Sequence, residues 1–162
     1  MQYREADYDR AGLLAHIERQ FKVAWDGVHG INHWLRVQHY ASRVGMRRGA
    51  DPLVVELFAL LHDSCRESER HDPLHGQRGA ELAYALNGTF FSLSGHQIDL
   101  LCTAIYFHSD GLTHSDVTIQ SCWDGDRMDL GRVGIQPNPK FLSKEAAVLL
   151  DELIPQSVDL NR

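Results

Sequence analysis

Asp51-Pro52-Leu53-Val54-Val55-Glu56-Leu57-Phe58-Ala59-Leu60-Leu61-His62-Asp63 is the stretch from which the architecture of this chain is read. Asp51 ahead of Pro52 has the form of a capping side chain followed by proline at the first helical position. The apolar residues that follow, Leu53, Val54, Leu57, Phe58, Leu60 and Leu61, nearly surround a helical axis. That pattern predicts a central, buried helix. It ends on His62-Asp63, where a metal-ligating side chain stands beside a charged one. Burying both without partners costs several kcal/mol. Partners exist in His33 upstream and in His75, His108 and Asp126 downstream. A histidine, a His-Asp doublet and a distant aspartate make a nitrogen- and oxygen-rich set suited to a divalent metal ion.

Outward from this segment the apolar spacing stays helical. Leu13, Leu14, Ile17, Phe21 and Ala24 form one stripe; Trp34, Val37, Ala41 and Val44 form another, predicting a helix from about His29 to Arg48 that stops at Gly49. Gly76 to Leu86 reads as a helix ending at Asn87-Gly88. Ser94-x-x-Gln97 has the form of a capping box that opens a helix through Ile98, Leu101, Ile105 and Phe107. Thr113-x-x-Asp116 reads as the opening of another, toward Trp123 and Met128. Gly131 to Phe141 holds Gly131, Gly134, Pro137 and Pro139 and reads as an ordered loop; Ser143 to Ile154 reads as the last helix, before a polar tail. Alternating strand patterns are scarce. The expectation is an all-α fold, a single compact domain over residues 1–162 with about six to seven helices.

Composition narrows the function classes. The formal net charge is −6 and no extended basic run occurs, which argues against nucleic-acid polymers and anionic membranes as main partners. No apolar stretch approaches the length of a membrane span. Cys65, Cys102 and Cys122 are odd in number and form no C-x-x-C pair. They read as free thiols in a reducing compartment, and the charged N-terminus does not read as a signal peptide, so a cytoplasmic protein is expected. Ten histidines are many for 162 residues.

A metal ion that activates water for ester hydrolysis needs ligands that fix it yet leave positions open, and cationic groups to neutralise phosphoryl oxygens. His29, His33 and Arg36 fall on one face if all three lie on a helix. Trp123-Asp124-Gly125-Asp126-Arg127-Met128-Asp129 places three carboxylates within a few residues, where they repel unless a cation or arginines intervene. EF-hand spacing is absent, so a calcium loop does not account for them.

The order His33, His62-Asp63, Asp126 resembles the HD superfamily of metal-dependent phosphohydrolases. His33-Trp34-Leu35-Arg36-Val37 is similar to its H-x-x-R-V segment, Leu60-Leu61-His62-Asp63-Ser64-Cys65-Arg66 to L-L-H-D-x-x-K/R, and Asp126-Arg127-Met128-Asp129 to D-R-L-D. The resemblance runs from about residue 26 to 135. It implies an HD-type helical domain and a divalent ion (Mn, Mg, Fe, Co or Zn) held by His33, His62, Asp63 and Asp126, the last preferred over Asp124 and Asp129 because it directly precedes Arg127. Two-metal members add histidines between the doublet and the final aspartate. His75, in an H-x-x-x-G-A context, and His108 resemble those positions, although many such members have a His-His pair where this chain has Phe107-His108. The Gly-Tyr-Pro signature of the cyclic-dinucleotide branch is absent.

Further roles follow for neighbouring residues. Arg66, one turn past His62, is a candidate for phosphate binding together with His29, His75 and His108. Glu67, four residues after Asp63, is a candidate base or water-orienting group beside Asp63 itself. His16, His39, His71, His96 and His114 are assigned no role, and Trp25, Trp34 and Trp123 are expected in the core or a pocket wall. The resemblance thus implies hydrolysis of a small phosphoester, a nucleotide or another phosphorylated metabolite, with the oligomeric state open. The alternatives are a di-iron oxygenase of the same fold and a non-catalytic regulatory module.

Overall fold

The structure, a computed structural model, describes residues 8–159, with side chains placed for residues 8–153. Among the described residues seven α-helices follow one another: α1 (Arg10–Gln20), α2 (Ile31–Arg48), α3 (Pro52–Leu61), α4 (His75–Leu86), α5 (Gly95–Phe107), α6 (Val117–Met128) and α7 (Lys144–Asp159). Two 3-10 turns, Leu130–Val133 and Pro139–Phe141, shape the segment between α6 and α7. The described residues form no strand beyond an isolated bridge from Asn87 to Phe91. The all-α expectation holds.

Helix α3 is the hub. The Asp51 carboxylate accepts hydrogen bonds from the Leu53 and Val54 amides, satisfying donors that the first turn leaves free. From Val54 to Leu61 every residue is buried, so neighbours must surround the helix on all sides. They include α2, α4, α5 and α6, with the most extensive packing between α2 and α6, α4 and α5, and α2 and α3. Glu56 lies in this apolar helix because the Tyr8 hydroxyl (2.7 Å) and Arg10 Nε (3.3 Å) both donate to it. Burial and that carboxylate together push the Tyr8 phenol far above its ordinary pKa.

Several boundaries differ from expectation for identifiable reasons. Helix α1 stops at Gln20; Phe21 turns into an edge-to-face aromatic cluster with Trp25 and Trp34. Helix α2 begins at Ile31, so His29 precedes it and does not share a helix face with His33. Gly30 is the N-cap, and a side chain there would collide with the Trp25 carbonyl, its Cβ falling 1.9 Å away. Helix α4 starts one residue early, at His75. The Ser94–Gln97 capping box forms at α5. Helix α6 is capped by Asp116 itself, which accepts from the Thr118 and Ile119 amides, so Thr113 does not open it. Helix α7 runs past Ile154 to Asp159. No helix among the described residues is long and apolar enough to cross a membrane.

Candidate metal centre

Five helices bring the chemistry to one point. Packing of α2 on α6 sets His33 opposite Asp126, while His62 and Asp63 come from the end of α3, His75 from the first turn of α4 and His108 from the end of α5. Of the four imidazoles, His33 is fully buried, His62 likewise, and His75 and His108 nearly so.

Each ring is oriented through Nδ1. His62 Nδ1 donates to the Ala59 carbonyl at 3.0 Å, His75 Nδ1 to the Asp72 carbonyl and His108 Nδ1 to the Ile105 carbonyl at 2.6 Å. His33 Nδ1 donates to Asp129 Oδ2 at 2.7 Å, and the other oxygen of Asp129 accepts from Arg36 Nε at 2.8 Å. Carbonyls in the last turns of α3 and α5 thus fix two of the four rings. With Nδ1 protonated, a neutral imidazole presents a lone pair at Nε2.

Those lone pairs converge on carboxylates. His33 Nε2 lies 3.1 Å from His62 Nε2, 3.5 Å from Asp63 Oδ2 and 3.2 Å from Asp126 Oδ1. His62 Nε2 lies 3.4 Å from Asp63 Oδ2 and 3.5 Å from Asp126 Oδ1. On the other side of the same aspartate, Asp63 Oδ1 is 3.3 Å from His75 Nε2 and 3.4 Å from His108 Nε2, which are 2.9 Å apart. Asp63 therefore belongs to two potential ligand groups, His33–His62–Asp63 and Asp63–His75–His108. Lone pairs pointed at lone pairs and carboxylates repel unless a cation lies among them. Ligand atoms about 2.1 Å from one ion are about 3.0–3.4 Å from each other, and the spacings of both groups fall close to that range. The donor set fits a divalent metal ion.

Electrostatics agree. Burial disfavours the charged carboxyl of Asp63, yet the charge of His62 and hydrogen bonds with His108, His33 and His75 hold it well below the usual range. Asp126 is held low against the same burial by His33 and His62. Burial of His33 works against its charged form, but Asp126, Asp129 and Asp63 win and push it up to about 10. The pocket attracts positive charge, as a proton or as a metal ion.

The three carboxylates of the 124–129 segment separate by role. Asp126 enters the cluster. Asp129 orients His33. Asp124 points away and is fully buried, accepting from Ser143 Oγ (2.6 Å), the Ser143 amide and Gln120 Nε2 ahead of α7; burial pushes its carboxyl up. Asp129 escaped assignment in the sequence, although its place in Asp126-Arg127-Met128-Asp129 was the available signal.

A cavity of about 440 Å3 opens over the cluster, a size typical of small-molecule sites. His29, Asp63, Arg66, His75, His108 and Asp126 line it, together with Arg127 and Arg132. Leu130, Val133, Ile135 and Phe141 give it an apolar wall. Arg66 Nε stands 3.4 Å from Asp63 Oδ1, and its Nη1 donates to the Ser68 and Arg70 carbonyls. Arg132, unassigned in the sequence, donates to the Val28 and Asp129 carbonyls at the cavity edge. Glu67 does not line the cavity: it is half exposed and pairs with Lys22 (3.3 Å) and Arg78 (3.6 Å). The geometry thus corrects its candidacy as a base, because the chain leaves helical register after Leu61 and four residues no longer make one turn. The three tryptophans and the histidines assigned no role lie outside the cavity lining.

Comparison with known proteins adds the relationship. No curated protein matches the chain. A crystal structure of a predicted HD superfamily hydrolase from an uncultured Thermotogales bacterium is similar, at 25% identity and a TM-score of 0.72, covering 93% of this chain and 88% of the other. The family model described as HD domain matches residues 30–151, a span that contains His33, the His62-Asp63 doublet and Asp126. The chain therefore belongs to the HD domain family.

Proposed function

We propose that this protein is a metal-dependent hydrolase that cleaves a small phosphoester, a nucleotide or another phosphorylated metabolite. The observation that carries the reading is the convergence of four Nε2 atoms on the Asp63 and Asp126 carboxylates at the base of a cavity edged by Arg66 and Arg132. His33, His62, Asp63 and Asp126 would hold one ion; His75, His108 and the second oxygen of Asp63 would hold another. A divalent ion in such a site supplies an acidified water and an electrophile for phosphoryl oxygens. Arg66 and Arg132 provide charge-assisted donors for an anionic substrate, and the apolar wall takes the portion of the substrate remote from phosphorus. Reduced polarity in the half-enclosed cavity strengthens each of these contacts.

The sharing of Asp63 between two groups also suits a pair of iron ions, which is what favours an oxygenase as the second reading. The arginines argue for the ester. Phosphate release from nucleotides and simple phosphoesters, with Mn, Mg, Fe, Co or Zn added in turn to metal-stripped protein, separates the two. Metal-dependent release that disappears in Asp63→Ala, with helical circular dichroism retained, supports the hydrolase. An optical band from oxidised iron with no phosphate release supports the oxygenase.

A further inference from the structure

We infer that Glu69 and His29 form a proton-transfer pair at the edge of the metal cluster, with His29 protonating the leaving oxygen and Glu69 positioning it. This rests on the phosphohydrolase reading above. His29 is fastened twice. Its carbonyl accepts from Trp34 Nε1 at 2.9 Å, and its Nδ1 donates to Glu69 Oε2 at 2.7 Å. The other oxygen of Glu69 is buried without a hydrogen-bond partner, so among side chains the carboxylate is committed to this one ring. Gly27 makes room for it, since a side chain there would bring a Cβ to 3.3 Å of Glu69 Oε1. The loop carrying Glu69 is itself held in place. Asp72 Oδ2 accepts from the Glu67 and Ser68 amides, and Arg66 clasps the Ser68 and Arg70 carbonyls.

These anchors leave Nε2 as the one ring nitrogen of His29 without a protein partner, on a side chain that lines the cavity beside Asp63 and Arg66. A surface histidine requires no such support. The arrangement is that of an acid–base histidine whose tautomer is set by a carboxylate on its far nitrogen. The charged groups facing the ring are Glu69 and Asp63, which favour the imidazolium, and Arg66 and Arg132, which oppose it; burial holds the ring below its ordinary pKa. An anionic phosphate group entering the cavity adds negative charge beside the ring and favours its protonation. In the step itself the bond from phosphorus to the ester oxygen breaks and its electron pair stays on that oxygen. The oxygen takes the Nε2 proton of His29 as water oxygen bonds to phosphorus. The neutral imidazole then recovers the proton that the water loses.

Such a proton matters for an alcohol leaving group and little for nitrophenolate, which leaves as a stable anion. Rates with adenosine 5′-monophosphate, or the alcohol ester turned over best in the panel above, are compared with rates for p-nitrophenyl phosphate in wild type, His29→Gln and the isosteric Glu69→Gln. The expected result is a fall in the alcohol-to-nitrophenyl kcat ratio of about 100-fold for His29→Gln and about 10-fold for Glu69→Gln, with metal content unchanged. An equal fall on both esters, or loss of bound metal in either variant, overturns the pair while leaving the hydrolase reading intact. A metal-loaded wild type that releases phosphate from no ester overturns that reading, and the pair with it.

Discussion

Asp129 divides its two oxygens between His33 and Arg36, and this single side chain sets the tautomer and direction of a ring in the candidate metal centre. Removing it in Asp129→Ala is expected to weaken metal affinity about 10- to 100-fold, read by competition with a chromogenic chelator. Asp129→Asn, which keeps an oxygen for one of the two donors, recovers part of the loss. Asp72 offers a second test at this scale. Burial raises its carboxyl, but the Glu67 and Ser68 amides and Arg78 (2.6 Å) outweigh that, so its folded pKa is lowered. A lowered folded value contributes stability that is present above the unfolded pKa and lost as pH falls through the folded one. Wild type should therefore exceed Asp72→Asn in Tm by about 3–6 °C at pH 7, corresponding to about 1–2 kcal/mol. The difference should vanish in acid below the ordinary carboxylate range; a gap that persists there would refute the electrostatic account. The doublet and the residues that converge on it were legible in sequence because several residue types recur in order. Glu67 was not, since its candidacy assumed helical register past Leu61, where the chain turns.

Among the elements, α2 and α6 are in tight contact at Gly125, where an added Cβ would meet Ala41 Cβ at 2.5 Å and its amide nitrogen at 2.7 Å. Backbone and a short side chain offer little room to yield, so Gly125→Ala must spread the helices that carry His33 and Asp126. A loss of about 1–3 kcal/mol is expected, seen as a lower midpoint in urea, together with weaker metal binding. Retained affinity at reduced stability would show that the ligands tolerate the separation. Helices were readable in sequence where a cap and a periodic stripe coincide, as in Asp51–Leu61 and at the Ser94–Gln97 box. The start of α2 was not readable, because the Gly30 boundary depends on contact with the Trp25 carbonyl, which is set by tertiary folding.

For the whole molecule, the convergence of candidate ligands from five helices around a shared Asp63 would make metal occupancy a property of the global fold. Binding to the folded chain alone adds about 2.7 kcal/mol at 100 times the dissociation constant, or about 5–11 °C in Tm for a chain of this size. Differential scanning calorimetry with and without chelator checks this; coincident transitions would mean the ligands do not gather a metal.

Arg127 donates to the Phe141 carbonyl from Nη1 and to the Leu112 carbonyl from Nη2, its guanidinium lying against Trp123 and Phe141. Two cavity-rim segments, one following α5 and one preceding α7, are thereby laced to the helix that bears Asp126. The catalytic floor is built from helices while the rim is built from loops tied to it by one knot. Lengthening or reshaping the 131–138 segment is thus a route by which this scaffold can acquire a new substrate preference, its chemistry inherited unchanged.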